Sequence, residues 1–372
     1  MKPRSPSEAH RAATPLELFF DLVIVVAVAQ ASTGLHHGLA EGHITAVVVT
    51  YGMVFFGVWW AWMNFTWFAS AYDTDDIAYR LVVFVQMTGA LILASGVEPM
   101  FSRQELTLSV VGYVVMRVAS LAQWLRAAQA DRSHRPAALR YAAGVALCQV
   151  AWVGLLFVPA SLRVPGFFVL ALAELLVPVW AERASPTPWH LHHIRERYGL
   201  FTLIVLGESV FSTALAVQSA IEGDGVNIGL FSIFVGALLI VYAIWWLYFY
   251  QPERELMTSL RTAFVWAYGH LFIFAATAAV GAGLAVSIDA ASHHAELSTG
   301  EAGLAVALPA SLLVLSLWIL QEHPRTTWWF DRLLHPAAAI LMLLTPLTEQ
   351  PVLFTGILLA ALVTIRLARH LE

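Results

Sequence analysis

Along the chain, apolar runs recur between short interruptions rich in charge, Pro or Gly. A helix needs about 20 predominantly apolar residues to cross the hydrocarbon core of a bilayer. Dividing the chain at its interruptions predicts twelve such helices, over residues 15–36, 44–70, 77–97, 105–127, 138–158, 164–182, 198–221, 228–250, 260–287, 302–321, 333–348 and 350–369. The eleventh, LLHPAAAILMLLTPL, is short and carries Pro336 and Pro346 near its ends. The expected fold class is all-α, a polytopic membrane protein.

The pattern also suggests a duplication. FFGVWWAWMNF (55–65) and VYAIWWLYFYQ (241–251) align at an offset of 186 residues. In the preceding segments Arg11 lies ten residues before Asp21 and Arg197 eleven before Glu208; the following loops are acidic, DTDD (73–76) and PERE (252–255). Six helices per half gives both halves the same orientation, a parallel repeat with room for a central site between them. The expected organisation is an amino-terminal segment (1–14), a first six-helix repeat (15–182), a polar linker (183–197) and a second repeat (198–372).

Charge orients the helices. All but three of the 20 basic residues fall at the termini and on the loops of one side; Arg103 and Arg163 lie opposite and Arg117 lies inside a helix. Cytoplasmic loops retain Lys and Arg, so both termini are expected in the cytoplasm of a multi-pass cell-membrane protein. The amino-terminal MKPRSPSEAHRAATP has no apolar core with a cleavage site, so the first helix itself is expected to target the chain. Composition agrees: 59% hydrophobic residues, 12% charged and a mean hydropathy of +0.72, against about 25% charged in soluble domains. A net charge of −5 gives no reason to expect nucleic acid. The partners expected are the bilayer and a small ion or small molecule, with homo-oligomerisation left open. Cys148 is the single cysteine, which excludes an intramolecular disulfide and a thiolate metal cluster.

Charged groups inside the apolar runs are the candidate chemistry. Glu17 and Asp21 are four residues apart and share a helix face. Thr14 and Pro15 suit a helix start, where anions are favoured, so a capping role for Glu17 competes with a functional one. Glu208 lies about ten residues into its helix, near the bilayer midplane, where a charge costs at least ~2.5 kcal/mol on insertion scales. Arg117 and Glu174 are deep enough to need partners and would satisfy each other. His270 could titrate or act as a hydrogen-bonded packing residue. Two histidine groups, His190 with His192 and His193, and His293 with His294, lack the spacing of a zinc site, so no metal is expected. No cofactor is expected either. No phosphate-cradling Gly loop is present and LGES is not a G-x-S-x-G elbow, so an enzyme is the less favoured class.

TPLELFFDLVIVVAVAQ (14–30) and HIRERYGLFTLIVLGESV (193–210) resemble the two signature segments of the bacterial low temperature requirement A family, and the hydrophobic profile matches over nearly the whole chain. The resemblance implies a polytopic membrane protein and marks Glu17, Phe20, Asp21, His193, Glu196, Arg197, Gly199, Gly207 and Glu208. Tyr198 stands where Phe is commoner. The first helix is also similar, more loosely, to the Arg and Phe-Ser-Asp signature of a potassium-channel family built from six-helix repeats; here Phe20 replaces the serine. The function expected is a transporter or ion-conducting protein in which Asp21 and Glu208 face a central cavity, with Glu17, Arg117, Glu174 and His270 shaping the site. Two carboxylates sharing a low-dielectric cavity do not both ionise readily, which favours proton coupling. The alternatives are a lipid-modifying or lipid-carrying protein and a structural or sensory one.

Overall fold

The computed structural model describes residues 1–5, 8, 11–224, 228–250, 259–292, 295–322 and 328–370. These form α1 (Pro15–Ala40), α2 (Ile44–Tyr72), α3 (Ile77–Ser95), α4 (Val97–Arg103), α5 (Thr107–Ala130), α6 (Arg135–Leu155), α7 (Ala160–Glu182), α8 (Leu191–Asp224), α9 (Ile228–Phe249), α10 (Leu260–Ala291), α11 (Thr299–Leu317), α12 (Trp329–Met342) and α13 (Pro351–His370), with no strand among the described residues. Twelve stretches are long and apolar enough to cross a membrane, with α3 and α4 counting as one and α12 continuing through a short 3₁₀ turn. The acidic loop 252–255, His293 and His294 lie outside the described residues.

Helix ends follow capping chemistry. Asp76 caps α3 by accepting from Tyr79 N–H at 2.8 Å. Ser259 with Thr262 and Ser298 with Glu301 form reciprocal capping boxes at the starts of α10 and α11. Arg11 donates to the carbonyls of Ser70 and Ala69, and Arg4 N–H to Ala71 O, so the amino-terminal segment satisfies the last carbonyls of α2. The largest departure from the apolar pattern is at α8, which begins at Leu191 rather than at Tyr198. Its added turns, HHIRER, carry the basic groups that take up the acids of α1.

The chain forms two compact units, one of residues 1–31 and 52–201 and the other of 32–51 and 202–372. α1, α2 and α8 contribute residues to both. In the first unit α3 crosses α5 closely: a Cβ on Gly89 would lie 2.7 Å from Gly112 O, and one on Gly112 would lie 2.3 Å from Leu93 N. In the second, α9 meets α13 in the same way, a Cβ on Gly356 falling 2.6 Å from Gly236 O. Small residues at such crossings let membrane helices approach where lipid gives no hydrophobic drive to associate. Large apolar side chains such as Leu147, Val150, Phe168, Val169 and Leu172 point outward, as expected of surfaces that meet lipid.

Candidate functional site

The acids of α1 meet the bases of α8 inside the first unit. Thr14 caps α1: Glu17 Oε2 accepts from its N–H at 2.8 Å and from its hydroxyl at 3.0 Å. The other oxygen, Oε1, lies 3.0 Å from His193 Nε2, and both side chains are fully buried. Glu17 thus joins the cap through one oxygen and meets His193 through the other. One turn on, Asp21 Oδ1 accepts from Arg197 Nη2 at 2.6 Å and from Trp62 Nε1 at 2.7 Å. Both helices space their charges by four, the interval at which side chains stack on one face.

Aromatic rings wall this ladder. Phe20 stacks on Phe65 at 3.8 Å, Arg197 lies 6.0 Å from the same Phe65 ring, and Trp62 stacks on Phe201 at 4.3 Å. Rings hold a low dielectric around the charges, which strengthens the pairs once formed and penalises any member left alone. Asp21 Oδ2 and Arg197 Nε and Nη1 are buried with no hydrogen-bond partner among the described residues. The pair is thus joined through one oxygen and one nitrogen rather than as a bidentate fork. At the edge of the ladder, Glu196 accepts from Ala13 N–H at 3.2 Å. His190 accepts at Nδ1 from His193 N–H at 3.3 Å and also bonds Ser70 and the Glu8 carbonyl.

The first unit holds a second carboxylate. Glu174 on α7, fully buried, accepts from Trp60 Nε1 at 3.0 Å, Tyr113 Oη at 3.0 Å, Arg117 Nη2 at 2.8 Å, Gln149 Nε2 at 3.3 Å and Trp152 Nε1 at 3.2 Å. Tyr113 and Arg117 are one turn apart on α5, and Gln149 and Trp152 one turn apart on α6, so two helix faces aim paired donors at one group. Arg117 and Glu174 meet as opposite charges must at that depth. The four uncharged donors carry no charge signal in the sequence and read as packing or interfacial residues.

In the second unit, Glu208 is 8% exposed and, among the described residues, accepts only from hydroxyls, Ser212 at 2.6 Å and Ser32 at 3.2 Å. No Arg, Lys or His pairs with it among the described residues. The adjoining Ser209 bonds Thr277 O at 3.1 Å, and a Cβ on Gly281 would lie 2.8 Å from Ser209 Cα, so α8 and α10 are nearly in backbone contact here. At Gly207 an added Cβ would meet nothing within 4 Å. Ser32 and Glu208 repeat the sequence offset of 176 that relates Glu17 to His193 and Asp21 to Arg197.

His270, fully buried in the second unit, uses Nδ1 on Trp266 O at 2.7 Å and Nε2 with Tyr248 Oη at 3.2 Å, among the rings of Trp266 and Phe274. It does not join Glu208. The two tryptophan pairs of the suggested duplication differ in surroundings, Trp59 and Trp60 being buried and Trp245 and Trp246 exposed. Among the described residues no group of three or more His, Cys, Asp and Glu could hold a metal. Outside the membrane-length helices, burial raises the Asp76 carboxyl but is outweighed by Tyr79 N–H, Arg126 and Thr74, which hold it at about 2.

A family model described as bacterial low temperature requirement A protein matches residues 12–368, which include Glu17, Asp21, Arg117, Glu174, His193, Arg197 and Glu208. An uncharacterized protein of Rhizobium meliloti (strain 1021) is 27% identical over 330 residues, covering 83% of this chain and 77% of the relative.

Proposed function

Since the chain belongs to the bacterial low temperature requirement A family, whose description states a growth condition and no reaction, we propose a function from the charges themselves: the protein passes a proton or small cation across the bilayer, with Glu208 as the group that takes it up. The observation that carries this reading is the set of donors on Glu208. A carboxylate within a membrane-length helix is expensive unless a cation, a proton or water compensates it. Glu174 and Asp21 have guanidinium partners; Glu208 has two hydroxyls. Hydroxyls can donate to the anion and, by rotating, accept from the acid or ligate a cation, so both loaded and unloaded forms are tolerated.

In this reading the Glu17–His193 and Asp21–Arg197 pairs set the packing of α1 on α8, and both termini are cytoplasmic as the basic residues suggest. The offset of 186 residues supports two parallel repeats. The test is flux in proteoliposomes loaded with a pH-sensitive dye, under an imposed proton, Na⁺ or K⁺ gradient. Glu208→Gln is expected to abolish a flux that wild type supports. Equal flux in the two proteins would overturn the proposal, as would the absence of any gradient-driven flux in wild type.

A further inference from the structure

Several hydroxyls lie at the level of Glu208 in the second unit, and where each one points decides what the site can hold. Two of them serve the carboxylate: Oε1 accepts from Ser212 at 2.6 Å and Oε2 from Ser32 at 3.2 Å. The others turn to the backbone. Ser209 shares its proton between Val205 O and Thr277 O, both at 3.1 Å, while Thr213 donates to Ser209 O at 2.7 Å and Tyr51 to Ala275 O at 2.6 Å. These four carbonyls lie inside α8 and α10, so each also accepts a helical N–H. A carbonyl oxygen has two lone pairs, and here both are engaged.

We propose, resting on Glu208 as the uptake group, that its cargo is the proton and that the site turns away sodium, potassium and other metal cations. A hard cation stripped of its water takes about six oxygen ligands. Among the described residues the site brings the two carboxylate oxygens and the hydroxyls of Ser32 and Ser212, and the carbonyls beside them are committed. Spacing agrees. Oxygens on adjacent positions of a cation bound at about 2.4 Å stand roughly 3.4 Å apart, whereas Glu208 Oε1 and Ser212 Oγ are 2.6 Å apart, the separation of a hydrogen bond to an anion. Water carried by the ion finds no room toward α10 either, since a Cβ on Gly281 would lie 2.8 Å from Ser209 Cα. A proton needs none of this. It adds to one carboxylate oxygen as an O–H bond, the hydroxyl on that oxygen rotates to accept instead of donate, and the other hydroxyl keeps its place; release to water reverses the rotation. The groups facing Glu208 leave that exchange unopposed by a fixed cation: α2 presents Tyr51, α1 and α10 present Ser32 and Thr277, and further along those two helices His36 and Asp289 pair with each other at 2.6 Å.

The test is infrared difference spectroscopy of the full chain in proteoliposomes, perfused at a series of pH values with choline, sodium or potassium as the cation. The carbonyl stretch of a protonated carboxyl that is present in wild type and absent in Glu208→Gln reports the proton on Glu208. That band is expected to grow as pH falls and, at fixed pH, to keep its size when choline is replaced by sodium or potassium. A band that shrinks several-fold on adding either metal ion overturns the proposal, as does the absence of a Glu208-dependent band at every pH. Flux gives a second readout: a proton gradient is expected to drive it with choline as the only other cation, and a requirement for sodium or potassium overturns the proton assignment while leaving Glu208 as the uptake group. Absence of Glu208-dependent flux under any gradient overturns the transport reading instead, and the infrared band still decides what Glu208 binds.

Discussion

Glu174 and Glu208 are both carboxylates buried on membrane-length helices, and they are satisfied in opposite ways. Glu174 receives five donors from three helices, one of them a guanidinium, so both oxygens are committed and the charge is balanced. Among the described residues Glu208 receives two hydroxyls and no charge. The first arrangement spends its chemistry on holding helices together, since removing any donor leaves a buried anion under-satisfied. The second leaves the anion able to change state without breaking an ion pair. Burial alone therefore does not distinguish the two carboxylates; the kind of donor around each does.

The comparison breaks first at the ion pairs. Glu174→Gln is expected to destabilise by about 3–5 kcal/mol, because Arg117 is left as a buried, uncompensated cation. Arg197→Met is expected to cost about 3 kcal/mol, since Asp21 keeps Trp62 Nε1 as its remaining donor. Reversible unfolding in mixed micelles measures both. Losses below about 1 kcal/mol would mean that these pairs are hydrated and of the surface kind.

Asp76 supplies a carboxylate outside the membrane for scale. Its folded-state value of about 2 lies below its ordinary value of 3.8, so its contribution is present above pH 4 and is lost as pH falls from there toward 2. Asp76→Ala should flatten that acid limb and cost about 1 kcal/mol at neutral pH, the worth of an N-cap. The smallest effect on stability is expected at Glu208. Glu208→Gln keeps an oxygen for the hydroxyls and should change stability by less than about 1 kcal/mol, yet it removes flux. A large unfolding effect there would move Glu208 into the same class as Glu174.

Much of this was legible because the bilayer constrains sequence so strongly: each crossing must be long and apolar, and the twelve runs appear as twelve membrane-length helical stretches. Arg117 and Glu174 could be matched because opposite charges at depth must meet. The partners of Glu17 and Asp21 were harder to see. His193 and Arg197 stand in a polar stretch that reads as linker, and the usable signal was their four-residue spacing, which copies that of the acids they meet. Tyr113, Gln149 and Trp152 gave no such signal, since an aromatic or amide residue in an apolar helix looks the same whether or not its polar tip has a target.

The uniform offset between α1 and α8 has a mechanical consequence. Equal intervals on two parallel rods behave like a vernier: slide one rod by a full helical turn, about 5.4 Å, and one acid finds a base again, Asp21 opposite His193 in one direction or Glu17 opposite Arg197 in the other. Any smaller slide strands both acids at once. The first unit is thus fitted with a detent, in which axial displacement of these rods proceeds by whole steps or not at all.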